Sequence, residues 1–293
     1  MAHLEFSARK DRIVGSAFGQ GTVDVWEVDA TDGTLTLLKQ IESNDALGPN
    51  AARQEAPHPH QAVLDNSARF FAVNDLGTDT ILVIDSLNDA FDVVNRVRLP
   101  NAGCGPRHGA FFPPLVAGSD FPTNYIVACE LTSELVVFEL DYQASNISFT
   151  AVQTISNFGP GLGPANATTA TAGELAVSSD KGFVFVSNRN TGNETDFLSV
   201  FSVSGAQGSS GANVRLAFQA SVSTGGAVPR MFSLSKDQET LFVANQDGAI
   251  GLQALPREAE TGELAVQAAA VLAIETFGGL GDNKGPQFVL QIQ

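Results

Sequence analysis

One pattern of polar residues, laid down five times along a chain of 293 residues, constrains this sequence more than any other feature. Its clearest copy is PHPHQAVLDNSARFFAVNDLGTDTILVID, from Pro57 to Asp85. His60-Gln-Ala-Val-Leu is a short half-apolar run, Asp65-Asn-Ser-Ala supplies turn residues, and Phe70-Phe-Ala-Val-Asn is a second run rich in β-formers. After the Asp75-Leu-Gly-Thr-Asp79 break comes a third run, Thr80-Ile-Leu-Val-Ile. His58 and His60 open the first run, and Asn74 and Asp75 close the second. Antiparallel neighbours joined by a tight turn bring those positions to one edge.

The same plan begins at His3 and breaks at Phe18-Gly. It returns as GPRHGAFFPP, interrupted by a loop to Pro122 and resumed as NYIVACELTSELVVFEL, with Arg107 at the opening and Glu130 at the break. A fourth copy, GELAVSSDKGFVFVSNRNTGNETDFLSVFSV, breaks at Asn188-Arg189. A fifth opens at Arg230 and breaks at Asn245-Gln246. Each copy has a fourth apolar run, and the Asp32-Gly and Thr261-Gly turns before Thr34-Leu and Glu263-Leu read as the hairpins into it.

Four-stranded units repeating every ~45 to 60 residues without an amphipathic helix between them predict an all-β fold, a propeller built of blades. The expected blades span about 3–42, 57–100, 105–156, 169–223 and 226–274, in a single domain over 1–293. A β-sandwich is the alternative, but it gives no reason to repeat one polar pattern. The last segment, 285–293, matches only the inner strand of a further blade. An unpaired inner strand is an aggregation liability that propellers close with N-terminal strands. The expectation is therefore a chain missing its N-terminal portion and a ring with a gap.

Lys and Arg number 16 against 32 Asp and Glu, a net charge of −16. With no basic run, the chain offers no footprint for nucleic acid or an anionic membrane surface. Its longest nearly apolar run, Leu264 to Ile274, is too short to span a bilayer. No signal peptide is visible at MAHLEFSARK, while the sequons at Asn146, Asn166 and Asn193 fall in expected loops. Compartment stays open between cytoplasmic and secreted. Cys104 and Cys129 sit near one edge of the third blade and are expected to be buried thiols, a disulfide being geometrically conceivable. No third ligand accompanies His58-Pro-His60, so no metal is expected.

If each inner strand starts and each second strand ends on one face near the axis, that face collects His58, His60, Asp75, Arg107, His108, Glu130, Asn188, Arg189, Arg230 and Gln246. Arg53, in the loop before the histidines, reaches it as well. Four arginines around one funnel of an acidic protein read as a site for a small anion, because guanidinium fits carboxylate or phosphate. A neighbouring carboxylate and imidazole suit general acid–base work. The plainer reading is that such residues tie blade loops together. His3 is read as the start of the first strand, and Trp26, Phe70 and Phe71 as core.

The motifs GPNAARQEAPHPHQAVLDNSARFFAVNDLGTD, GPRHGAFFP, Glu130-Leu-Thr-Ser-Glu, SNRN and PRMFSLS resemble, in order, those of the seven-bladed propeller lactonase family. That family includes bacterial 6-phosphogluconolactonases and fungal 3-carboxy-cis,cis-muconate cyclases; the likeness runs from His3 to Ile292, with the fungal branch nearer. It implies a funnel lined by one histidine (His60, with His58 as the alternative), Arg107, Glu130 and Arg189. The main expectation is then a cofactor-independent, carboxymuconate cyclase-like isomerase, whose arginines hold carboxylates while Glu130 or His60 delivers a proton. The alternatives are a 6-phosphogluconolactonase-like hydrolase and a secreted, non-catalytic propeller.

Overall fold

Phe70-Phe71-Ala72-Val73 and Ile81-Leu82-Val83-Ile84 are buried along their whole length. A strand reaches that state only when apolar layers cover both of its faces. The computed structural model, which describes residues 1–112, 121–160, 163–205, 214–278 and 284–292, shows how.

Five antiparallel four-stranded sheets form the blades of a propeller. Blade one holds β1 (His3–Phe6), β2 (Arg12–Ala17), β3 (Thr22–Val28) and β4 (Leu35–Glu42). Blade two holds β5 (Pro59–Leu64), β6 (Phe70–Asp75), β7 (Thr80–Asp85) and β8 (Asp92–Arg98). Blade three holds β9 (Pro106–Phe112), β10 (Asn124–Cys129), β11 (Glu134–Gln143) and β12 (Asn146–Ser156). Blade four is β13 (Thr171–Val177), β14 (Phe183–Arg189), β15 (Phe197–Ser204) and β16 (Arg215–Ser223). Blade five is β17 (Ala227–Leu234), β18 (Thr240–Asp247), β19 (Ile250–Pro256) and β20 (Ala270–Ala273).

The chain divides into two compact units, one of residues 1–132 with 136–152 and one of residues 133–135 with 153–293. In the first, the two-residue period of a strand sends alternate side chains to opposite layers. Phe71, Val73, Leu82 and Ile84 pack with Val14, Val23, Val25 and Ile41 of blade one. Phe70, Ala72, Ile81 and Val83 pack with Tyr125, Val127, Val136 and Phe138 of blade three. In the second unit, Phe185 and Val200 pack against Phe232, Leu241 and Val243.

The turn between first and second strands is also repeated. Lys10, Ala68, Lys181 and Gln238 each adopt positive φ there, between 59 and 66°. Asp65 shows what offsets that cost. Its Oδ1 accepts the N–H groups of Arg69 and Phe70, at 3.1 and 2.9 Å.

Four expectations need correction. Cys104 and Cys129 form a disulfide, with Cα atoms 4.7 Å apart, because both flank the same pair of strands. No strand forms at the C-terminus: residues 284–292 pair with no sheet, and a strand exists only within a ladder. Their backbone tie is the Gly285 N–H to the Gln246 carbonyl at 2.8 Å; residue 293 lies outside the described residues. The fourth strand of blade five begins at Ala270, since Leu264 makes only an isolated bridge to Arg257. Trp26 is half-buried on the outer part of blade one, not core.

Candidate active site

The opening of the inner strand carries a recurrent irregularity in blades two to five. In blade two, Pro59 pairs with Asp75 and Gln61 with Asn74, leaving His60 as an extra residue. In blade three, Pro106 pairs with Cys129 and His108 with Ala128, leaving Arg107. In blade five, Pro229 pairs with Asn245 and Met231 with Ala244, leaving Arg230. Blade four slips between Ala172 and Leu175, which puts Gly173 and Glu174 in the equivalent place, and β1 has no slip. A bulge takes one residue out of the ladder and re-aims its side chain. Proline, lacking an N–H, is tolerated beside such a gap. Pro-Xaa at the start of an inner strand is thus the local signal for a side chain turned out of the sheet.

Arg107 is 1% exposed and Glu130 is 3% exposed. The Arg107 guanidinium lies 2.9 Å from one oxygen of Glu130, and Arg53 Nη2 lies 2.5 Å from the other. Losing either partner of a buried pair leaves an uncompensated charge, so the geometry around Glu130 has to be held firmly. The Glu130 N–H donates to the Gly105 carbonyl at 2.8 Å, and the Leu131 N–H to the Cys104 carbonyl at 3.0 Å. Gly105 sits at φ 61°, and a Cβ there would lie 2.6 Å from Leu131 Cγ, so only glycine fits this approach. The Asp79 carboxylate accepts the N–H groups of Gly103 and Gly105, at 2.6 and 2.8 Å. It also accepts Gln54 Nε2 at 2.8 Å, which secures the loop that carries Arg53.

All four histidines of the chain lie in this unit. His60 and His108 meet edge to face with ring centroids 5.1 Å apart, and His3 lies 6.3 Å from His108. His58 stacks on Phe18 at 4.3 Å. Its Nδ1 meets the Phe18 carbonyl at 2.9 Å and its Nε2 meets Glu55 at 3.1 Å, the contacts of a loop tie. Asp75 accepts the His58 and Gly77 N–H groups, at 2.7 and 2.9 Å. Burial raises the Asp75 carboxyl above its ordinary value, against hydrogen bonds from Ser43, His58, Thr78 and Gly77. Asp75 therefore orders the His58 loop from beneath.

In the second unit, Arg189 is 6% exposed and donates through Nη2 to the Ala172 carbonyl at 2.7 Å. Asn188 is fully buried, with its amide on Ser199 Oγ at 2.9 Å, a clamp between β14 and β15. Gln246 is buried and Arg230 is half-buried. The sequence reading took His3 and Phe18 only as a strand start and a break, set a Cys104–Cys129 bridge below buried thiols, and passed over Glu174, which is 8% exposed at the bulge of blade four. Only Glu174 had a readable signal, its register with the Pro-Xaa openings of the other blades. Among the described residues no group of three or more His, Cys, Asp or Glu is placed to hold a metal ion.

Four-stranded blades whose bulged openings carry arginine and histidine beside a buried glutamate define a β-propeller with a buried polar cluster. The profile described as lactonase, 7-bladed beta-propeller matches residues 1–276, and the chain belongs to that family. It is 30% identical over 190 residues to the "Probable 6-phosphogluconolactonase" of Arthroderma benhamiae, covering 64% of this chain and 45% of that protein. It is 28% identical over 263 residues to the 6-phosphogluconolactonase of Bacillus subtilis, covering 89% and 67%. Among solved structures, a protein from Lactobacillus plantarum matches at 26% identity with a TM-score of 0.76, covering 92% of this chain and 71% of that one. The periplasmic gluconolactonase PpgL of Pseudomonas aeruginosa matches at 25% with a TM-score of 0.73, covering 92% and 69%. The chain thus spans about half to two thirds of the curated relatives it matches.

Proposed function

We propose that this protein opens a small lactone bearing an anionic group, in the manner of a 6-phosphogluconolactonase. The observation that carries this reading is the buried Glu130 carboxylate held between Arg107 and Arg53, with the His60–His108 pair in the same unit. Water adds to the lactone carbonyl carbon, the ring C–O bond breaks, and the departing ring oxygen takes a proton to give the hydroxy acid. The buried guanidinium of Arg107 suits the negative charge that develops on the carbonyl oxygen. Arg53, with 43% of its side chain exposed, can turn from Glu130 to the substrate's anionic group. Glu130 then accepts the proton of the attacking water, and His60, relayed by His108, returns one to the leaving oxygen.

Hydrolysis displaces cyclisation as the main reading because the relatives whose names carry an activity are lactone hydrolases. The test is a pH-stat assay on 6-phosphogluconolactone, unphosphorylated gluconolactone and 3-carboxy-cis,cis-muconate, corrected for spontaneous hydrolysis. The reading predicts kcat/KM at least ~10-fold higher for the phosphorylated lactone, the margin expected when one substrate anion gains a charge-assisted contact. Turnover of the muconate alone, or of neither lactone, overturns it.

A further inference from the structure

Blade three differs from the others in how its first two strands are joined. Five residues connect the first and second strands in blades one, two, four and five, for example between Leu64 and Phe70. In blade three the connection runs from Phe112 to Asn124. A short turn fixes the register of a hairpin, and a long one does not. A one-residue slip would turn side chains to the opposite face and part Arg107 from Glu130. The chain has two cysteines, and both lie in this blade, at the end of the strand pair away from that connection. Cys129 immediately precedes Glu130, and Cys104 lies three residues before Arg107. Both are fully buried.

We propose that the Cys104–Cys129 disulfide is the positioning element of the Arg107–Glu130 pair, and that it makes turnover thiol-sensitive. This inference rests on the lactonase reading. The bridge closes a loop with a sequence separation of 25 residues and adds a covalent tie at the end of the strand pair that carries Arg107 and Glu130. A dithiol reductant reverses this: the S–S bond breaks, each cysteine sulfur gains a hydrogen, and the dithiol leaves as its own disulfide. Beyond the β9–β10 ladder only the Glu130 and Leu131 amides then hold this end of the strand pair, and the carboxylate loses its fixed place between the two guanidinium groups.

The test is Cys104→Ala/Cys129→Ala in the full chain, compared with oxidised wild-type protein on the best lactone. We expect kcat to fall by at least ~10-fold at nearly unchanged KM, since small misplacements of reacting groups act on the chemical step. We also expect a cooperative, lowered thermal transition above the assay temperature. Wild-type protein reduced with dithiothreitol, its two thiols counted by alkylation and mass, should match the variant. A folded variant with kcat within ~2-fold of wild type overturns the proposal, because a purely stabilising bridge leaves folded molecules fully active. A variant that cannot fold also overturns it, by showing that the bridge holds the blade rather than the site. If oxidised wild-type protein turns over no lactone, the lactonase reading fails by itself. Amide exchange then decides positioning: the Glu130 amide should exchange at least ~10-fold faster in the variant while that of Val186, in blade four, does not change.

Discussion

Blades three and four follow one plan and put its arginines to different uses. In blade three the bulge turns Arg107 out of the inner strand, and its guanidinium meets the carboxylate of Glu130. In blade four the bulge carries Gly173 and Glu174, and Arg189 comes from the end of the second strand, with its guanidinium on the Ala172 carbonyl. An ion pair between titratable side chains is poised for chemistry, whereas an arginine on a backbone carbonyl also braces its own sheet. The same polar edge therefore carries a buried ion pair in one blade and a brace on the backbone in the other.

The largest effect on this comparison should come from Glu130→Ala, which strands two guanidinium groups. Loss of one member of a buried pair typically costs ~3–5 kcal/mol, and urea denaturation should report it together with loss of turnover. Glu130→Gln should keep most of the stability and still lose turnover, and equal turnover in both forms would break the assignment.

Asn188→Ala in blade four should do the reverse. Removing the amide that meets Ser199 should lower stability by ~1–3 kcal/mol and leave kcat per folded molecule unchanged. A selective loss of kcat would move Asn188 from scaffold to site.

The smallest effect is electrostatic and lies in blade one. Burial pushes the Glu5 carboxyl up to about 7 from an ordinary 4.5. A raised folded value means the native state holds its proton more tightly than the unfolded chain, so this contribution is complete below pH 4.5 and is lost as pH rises through 7. Glu5→Gln should flatten the thermal stability profile across that window. An unchanged slope between the two proteins would contradict it.

The blades were legible because their signals are local: apolar runs, Asp-centred turns and a polar residue at each opening. The places of His60, Arg107, Glu130 and Arg189 at strand openings and ends were also legible. Their pairing was not, because it depends on the register on either side of each bulge. The Cys104–Cys129 bridge was misjudged for the same reason, since position at one edge does not specify a Cα separation. His3 was taken for a strand start, which it is, but its ring also lies 6.3 Å from that of His108 in blade three. Nothing local in HLEF announces that contact. Asn188 was grouped with the site from its place at the end of a strand, and its bond to Ser199 Oγ depends on the register of the strands and was not legible.

The most direct test of the account is Arg107→Ala, assayed on 6-phosphogluconolactone with folding checked by circular dichroism. The account predicts a folded protein whose kcat/KM has fallen by ~100- to 1,000-fold, the size of effect expected on removing one preorganised donor to a developing oxyanion. A folded variant that retains wild-type turnover would remove Arg107 and its bulge from the reaction, and with them the reading of blade three as the catalytic blade.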